Sequence, residues 1–156
     1  MEETRLFSSL IRFENHCSRE LLESMKSLPK EEPHAFKLFG HVLESQLIWL
    51  ARLAGESEMQ EPWWPRVGYE GCLELLDRTE RNWNDFLGTL SDERLGNVVN
   101  YRPLGGARAR VVVRDILVHL FVHAAHLRGQ ISLELKDKGI SPPLPNYLGF
   151  ARQDGG

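Results

Sequence analysis

Three of the six histidines in this chain lie within a single eight-residue run, HLFVHAAH, as His119, His123 and His126. At about 100° per residue in a helix, their side chains fall within a stripe roughly 60° wide. Gln130 continues that stripe one turn later. Because imidazoles on one helix face can converge on a single metal ion, this run predicts a metal-binding face.

The spacing of these histidines decides which of them could share a metal ion. His119 and His123 are four residues apart, which puts their β-carbons about 5 to 6 Å apart on adjacent turns, while His126 follows at the looser spacing of three. A third nitrogen from His41, on another helix, would complete a three-histidine site with open positions, as catalytic zinc uses. The alternative is structural, since such pairs also arise on helix surfaces without a metal.

Apolar residues recur with a helical period in the segments that must position these histidines. In the last long segment, Ile116, Leu120, Leu127 and Ile131 form a core-facing stripe beside the histidines, and Gly139 is expected to end the helix. The predicted long helices are residues 3–28, 33–54, 69–90 and 111–138.

The segments between the helices carry turn and strand signals. Ser91, followed by two acidic residues, predicts the N-cap of a short helical turn. Residues 98–102 and 107–112 alternate like two strands of a hairpin. The loop at 56–67 contains Trp63 and Trp64 and is expected to fold over one end of the bundle, as a hydrophobic plug or as a lid that contacts substrate. The proline-rich tail should lie extended before a turn of helix at 146–151.

Length, charge and motif content exclude several functional classes. A chain of 156 residues predicts one domain, and a net charge of -3 gives no electrostatic footprint for nucleic acid. No uncharged run reaches the roughly 20 residues of a membrane span, and no signal peptide is evident, which predicts a cytoplasmic protein. Cys17 and Cys72 lack paired spacing and are predicted to be reduced. Nucleophile-elbow, phosphate-loop and dinucleotide motifs are absent from the sequence.

The order of motifs resembles that of the DinB/YfiT-like superfamily over nearly the whole chain. The resemblance is carried by His41 with Glu44 and Trp49 after it, by the run HLFVHAAHLRGQI, and by a tail that ends NYLGFAR. It implies an all-α, four-helix bundle with a short hairpin or irregular segment before the last long helix. It also implies a divalent metal bound by one histidine of the second helix and two of the last.

Carried over by position, the resemblance implies His41 and His123 as metal ligands. The family pattern places its third ligand directly before the Arg-Gly-Gln run, where this chain has Leu127, which cannot bind a metal. His126 lies one residue earlier and about 60° around the helix from His123, and His119 lies one turn before it; these are the alternatives for the third ligand. The implied cofactors are a divalent ion such as zinc, nickel, manganese or iron and a low-molecular-weight thiol.

Two functions follow from this resemblance. The first is a metal-dependent enzyme, a thiol S-transferase that acts on small electrophiles or a hydrolase-like relative of one. The alternative is a metal-free module of the same fold that binds a small molecule or serves in a stress response. The resemblance also implies a homodimer, and Phe7 and Ile11, on a separate flank of the first helix, predict apolar surface for it. Arg128 is expected to orient a ligand or to pair with a carboxylate, and Gly129 to permit close approach of a helix.

Overall fold

Four long helices, two short helices and one hairpin make up the fold in the computed structural model, which describes residues 2–30, 33–56, 63–103 and 105–154. In chain order the elements are α1 (Glu2–Met25), α2 (Pro33–Leu53), α3 (Tyr69–Leu87), α4 (Asp92–Leu95), β1 (Val98–Tyr101), β2 (Ala109–Val112), α5 (Val113–Asp137) and α6 (Tyr147–Asp154). The predicted all-α class and helical bundle are confirmed.

The packing of the long helices brings α2 against α5, the two helices that carry the candidate ligands. Both α1 and α2 pack mainly against α3 and α5. The four helices therefore form a square in which α1 and α2 occupy one diagonal. A side chain on the inner edge of α2 can consequently reach one on α5 directly.

The core is divided into two apolar clusters along the bundle. One cluster surrounds Phe39, Leu43 and Ile131, and the other surrounds Trp83 and Leu117. A set of buried polar side chains lies among these apolar groups, and its members are Glu14, Ser18, Glu44, Ser45, Gln46, Thr79 and Arg128. Buried polar groups need hydrogen-bond partners, so this set is a constraint on how the helices can pack.

Phe7 and Ile11 belong to the second cluster, with only 7% and 0% of their surfaces exposed. The prediction that they form an exposed apolar flank of α1 is therefore wrong. The partly buried Phe121 stacks on the ring of Phe7, with centroids 6.5 Å apart, so α5 covers the flank of α1 that was predicted to be exposed.

The ends of the elements differ from the predicted ones by a few residues. Val111 and Val112 pair in β2, so α5 begins at Val113 rather than at residue 111. The Oγ of Ser91 accepts a hydrogen bond from the backbone N–H of Arg94 at 3.1 Å, which confirms the predicted N-cap. Gly139 has a φ of 75°, a conformation that favours glycine, and α5 ends just before it.

Candidate functional site

His41 and His123 meet between α2 and α5. Their Nε2 atoms are 3.2 Å apart, and their ring planes are nearly perpendicular, with centroids 5.0 Å apart. Both residues are partly buried. The structure thus brings together the two histidines that the sequence resemblance implied as ligands, although they are 82 residues apart in the chain.

The loop after α2 fixes the orientation of His41. Its Nδ1–H donates a hydrogen bond to the backbone carbonyl of Trp63 at 2.5 Å. The ring of Trp64 stacks on the imidazole, with centroids 3.7 Å apart and planes 5° from parallel. Because a carbonyl only accepts, the proton of neutral His41 resides on Nδ1, and the lone pair of Nε2 faces His123.

Two helical glycines hold this loop in place. A β-carbon at Gly40 would lie 2.9 Å from Val67 and 3.0 Å from Pro65, and one at Gly71 would lie 2.8 Å from Val67. The side chain of Val67 therefore sits between α2 and α3, and any residue larger than glycine at position 40 or 71 would displace it. An isolated glycine inside a helical pattern signals such an approach, and Gly40, directly before His41, was the available signal that sequence reasoning missed.

The other two histidines of α5 lie beside this pair rather than within it. His119 is exposed, with its ring 5.9 Å from that of His123 and 6.3 Å from that of Trp49, between centroids. His126 is also exposed, and its Nε2 accepts a hydrogen bond of 2.9 Å from the side-chain amide of Gln130. Across the described ranges, no group of three or more histidine, cysteine, aspartate or glutamate side chains is arranged to hold a metal ion.

Leu127 occupies a core position, with 6% of its surface exposed in the first apolar cluster. It lies one turn after His123, where the family pattern has its third ligand. Its side chain packs among apolar residues of the bundle. Where the family pattern has its third ligand, this chain therefore has a buried residue at the inner edge of the site rather than a surface residue.

Burial sets the charge of the histidine pair. Loss of solvent is the main cause that lowers the pKa of His123 to about 4, and the neighbouring imidazoles of His41, His119 and His126 contribute to the same shift. The pKa of His41 is also lowered by burial, against the opposing effect of its hydrogen bond to Trp63. Both imidazoles are consequently neutral at pH 7, the form that binds metals.

Beside the histidine pair, Trp49, Trp63 and Tyr101 form an aromatic rim around Arg52. The guanidinium of Arg52 lies over the rings of Trp49, Tyr101 and Trp63, at 4.5, 5.0 and 5.6 Å from their centroids. Trp49 and Tyr101 also contact each other, with centroids 4.9 Å apart. Tyr101 belongs to β1, so the predicted hairpin contributes one side chain to this rim. The only signal for this contribution in the sequence was that residue 101 is aromatic.

Arg128 pairs with a carboxylate, which is one of the two roles predicted for it. Its Nη1 donates to both carboxylate oxygens of Glu14 at 2.6 Å. The prediction that Gly129 permits close approach of a helix is wrong within the described chain, because a β-carbon there would meet nothing within 4 Å. Gly129 is exposed on α5.

The remaining candidate groups lie elsewhere or are unreactive. Cys17 and Cys72 are free and buried, as predicted for reduced cysteines, and burial raises the pKa of Cys17 to about 11 and that of Cys72 to about 12. Neither is a thiolate at neutral pH.

His16 and His34 are surface residues paired with Glu20 and Glu134. No described helix is both long and apolar enough to cross a membrane.

The model of the DinB family matches residues 17–155, which include all four candidate histidines of the site. No curated protein matches the chain.

Proposed function

Because the chain belongs to the DinB family, we propose that it is a metal-dependent enzyme that transfers a low-molecular-weight thiol to a small electrophile. The observation that carries the proposal is the 3.2 Å separation of Nε2 in His41 from Nε2 in His123. Two nitrogens bound to one ion at about 2.0 to 2.1 Å lie roughly 3 Å apart. The pair therefore fits two adjacent coordination positions.

His119 is the third ligand that we propose. Its ring contacts that of His123, whereas the Nε2 of His126 accepts a hydrogen bond from Gln130. A rotation of the exposed His119 side chain would be needed to direct a nitrogen at the pair, and its exposure leaves room for one. When bound, a divalent ion would lower the pKa of a coordinated thiol so that thiolate forms at neutral pH.

The chain's own residues would prepare the site in three ways. The Trp63 carbonyl holds the His41 proton on Nδ1, which keeps Nε2 available. Burial keeps His123 neutral, and Trp64 shields one face of His41 from water. Because both cysteines are buried and their pKa values lie well above neutral pH, we propose that the reacting thiol comes from outside the chain.

The second candidate function is a metal-free binding module of the same fold, and Leu127 favours it. With leucine in the core at this position, the inner edge of the site offers two imidazoles instead of three. In that case one imidazole donates an N–H to the other, and the aromatic rim would bind a small molecule without chemistry.

Metal stoichiometry distinguishes the two functions. Untagged protein is incubated with zinc, nickel or manganese, desalted and submitted to elemental analysis. The enzyme proposal expects about one ion per chain, lost in His41→Ala and His123→Ala and weakened in His119→Ala. His34→Ala is the matched control, because His34 is an exposed histidine paired with Glu134.

Absence of retained metal in the wild type would reject the enzyme proposal. The binding-module alternative then expects Leu127→His to create a metal site that the wild type lacks. If metal is retained, consumption of chlorodinitrobenzene with a panel of small thiols tests the reaction itself. Turnover that persists unchanged in His123→Ala would assign the chemistry to another part of the molecule.

A further inference from the structure

A cavity of about 570 Å³ lies where the end of α2, the short helix α4 and β1 come together, and we refer to it as the α4 cavity. Two guanidiniums, of Arg52 and Arg94, line it together with one carboxylate, of Glu93. Its apolar lining consists of Leu53, Val98, Val99 and Val113. A cavity of roughly 300 to 1,000 Å³ with apolar walls and a few polar groups is typical of a small-molecule site.

The guanidinium of Arg94 has only neutral partners among the described residues. It is half-buried, and it donates hydrogen bonds to the hydroxyl of Thr89 and to the backbone carbonyl of Leu53. One face lies over the ring of Phe86, 4.7 Å from the centroid. A guanidinium has five N–H donors, and its strongest acceptors are anions. Since no carboxylate of the described ranges pairs with Arg94, an anion from outside the chain would complete its interactions.

Aromatic rings hold the guanidinium of Arg52 in place. It lies over Trp49, Tyr101 and Trp63, at 4.5, 5.0 and 5.6 Å from their centroids. Rings stacked on a guanidinium cover its faces and leave its N–H edge for hydrogen bonds. Arg52 therefore belongs both to the aromatic rim and to the lining of the α4 cavity.

The charges of a second cavity, which Arg94 also lines, make it a poorer place for an anion. This α3 cavity of about 500 Å³ is lined mainly by α2 and α3. Its guanidiniums belong to Arg78 and Arg94, and its carboxylates to Glu56 and Asp85. Arg78 also pairs with the carboxylate of Glu44 at 3.5 Å. Positive and negative charges are balanced in the α3 cavity, whereas the lining of the α4 cavity has two guanidiniums for one carboxylate.

We propose that the α4 cavity binds the carboxylate or phosphate group of a small organic anion, with Arg94 and Arg52 as the charged donors. The planar fork of an arginine matches either group bidentately. Asn97 and Asn100 also line the cavity, and their amides supply neutral N–H donors. The apolar wall would contact a short hydrocarbon part of the ligand. None of the described lining residues is a histidine, so the inference does not depend on a bound metal.

Isothermal titration calorimetry with three six-carbon probes tests the class of ligand. Hexanoate, hexyl phosphate and neutral hexanamide are titrated into the wild type in chelator, at constant ionic strength. At least one of the two anions should bind at one site per chain, and the tighter of them identifies the preferred group. Hexanamide should not bind, and an amide that binds as tightly as both anions would overturn the proposal.

Two substitutions of nearly equal shape change the charge of the α4 cavity in opposite directions. Asn100→Asp adds a carboxylate and should weaken anion binding by about three- to tenfold, and Glu93→Gln removes one and should strengthen it by a similar factor. Both residues are exposed, so neither change is expected to disturb folding. Asn82→Asp is the matched control, because Asn82 lines the α3 cavity; it makes the same change in net charge and should leave the affinity unaltered.

Variants of Arg94 test the charged donor directly. Arg94→Gln should weaken binding by about tenfold or more, and Arg94→Lys, which keeps the charge without the bidentate fork, should fall between Arg94→Gln and the wild type. Because Arg94 also binds the carbonyl of Leu53, the folding of both variants is checked by their melting temperatures. Affinity that stays the same in Asn100→Asp, Glu93→Gln and Arg94→Gln would overturn the proposal, as would a wild type that binds neither anion.

Discussion

Replacement of Arg128 by methionine is expected to destabilise the protein strongly. Arg128 and Glu14 form an ion pair in which only 10% and 3% of the side-chain surfaces are exposed. Glu14 also accepts a hydrogen bond from the side-chain amide of Gln46 at 3.0 Å, and Gln46 accepts one from the indole N–H of Trp83 at 2.8 Å. The substitution would leave a buried carboxylate with weaker partners.

The magnitude follows from that burial. Removing one partner of a buried ion pair typically costs about 3 to 5 kcal/mol, because the remaining charge is left uncompensated. Gln46 and Ser18 still donate to Glu14, which favours the lower end of this range. For a chain of this size, 1 kcal/mol shifts the melting temperature by roughly 2 to 4 °C, so a fall of about 10 °C is expected.

The assay is chemical and thermal unfolding of four variants, which are Arg128→Met, Glu14→Gln, the double variant of these two, and Arg19→Met. Arg19→Met is the matched control, because Arg19 pairs with Asp77 and Glu80 while 42% of its side chain is exposed. Exposed pairs contribute about 0 to 1 kcal/mol. The double variant Glu14→Gln with Arg128→Met removes both charges and keeps an acceptor for Gln46, so it should recover much of the loss.

Two results would refute this reasoning. If Arg128→Met and Arg19→Met lower the free energy of unfolding equally, burial of the pair does not determine its contribution. If the effects of Glu14→Gln and Arg128→Met add in the double variant, the two side chains are not coupled.

Three further predictions concern the site. In the presence of chelator, the contribution of His123 to stability should be fully present above pH 6.5 and should be lost as the pH falls toward 4. The reason is that His123 takes up a proton in the unfolded chain, whereas in the folded chain its pKa of about 4 excludes that proton. Partial exposure limits the effect to about 1 to 2 kcal/mol, and His123→Gln should make the melting temperature less dependent on pH. Trp64→Ala should raise the pKa of His41 in a nuclear magnetic resonance titration by removing a desolvating ring, and an unchanged pKa would show that the stack contributes nothing. Gly40→Leu should lower the free energy of unfolding by about 1 to 3 kcal/mol through overpacking against the loop, whereas Gly129→Leu, which meets open space, should not.

The sequence predicted the helices well because each buries a continuous apolar stripe. In α5, Ile116, Leu120 and Ile131 recur at helical spacing, and all three are buried. The same periodicity put His123 beside the core. Which partner it would meet depended on α2 packing against α5, and here the family resemblance supplied what periodicity alone could not.

The errors came from contacts between elements that no single pattern encodes. Phe7 and Ile11 were assigned to an exposed flank because the main stripe of α1 runs elsewhere, but Phe121 of α5 covers Phe7. A helix that packs against two long helices buries more than one flank. Likewise, the carbonyl of Trp63 reaches His41 only because Val67 fits against two glycines, and a loop's path is not a periodic property.

Leu127 and the His41–His123 pair can coexist because different contacts hold them. The pair is held by the approach of α2 to α5 and by the loop on His41, and Leu127 adds apolar packing to the first cluster. With leucine at this position, the imidazole that the family pattern would place there is absent, while His41 and His123 keep their 3.2 Å approach. Any metal would then depend on an imidazole outside the core, such as the exposed His119, and its affinity would be more sensitive to that side chain's mobility than to the bundle's stability.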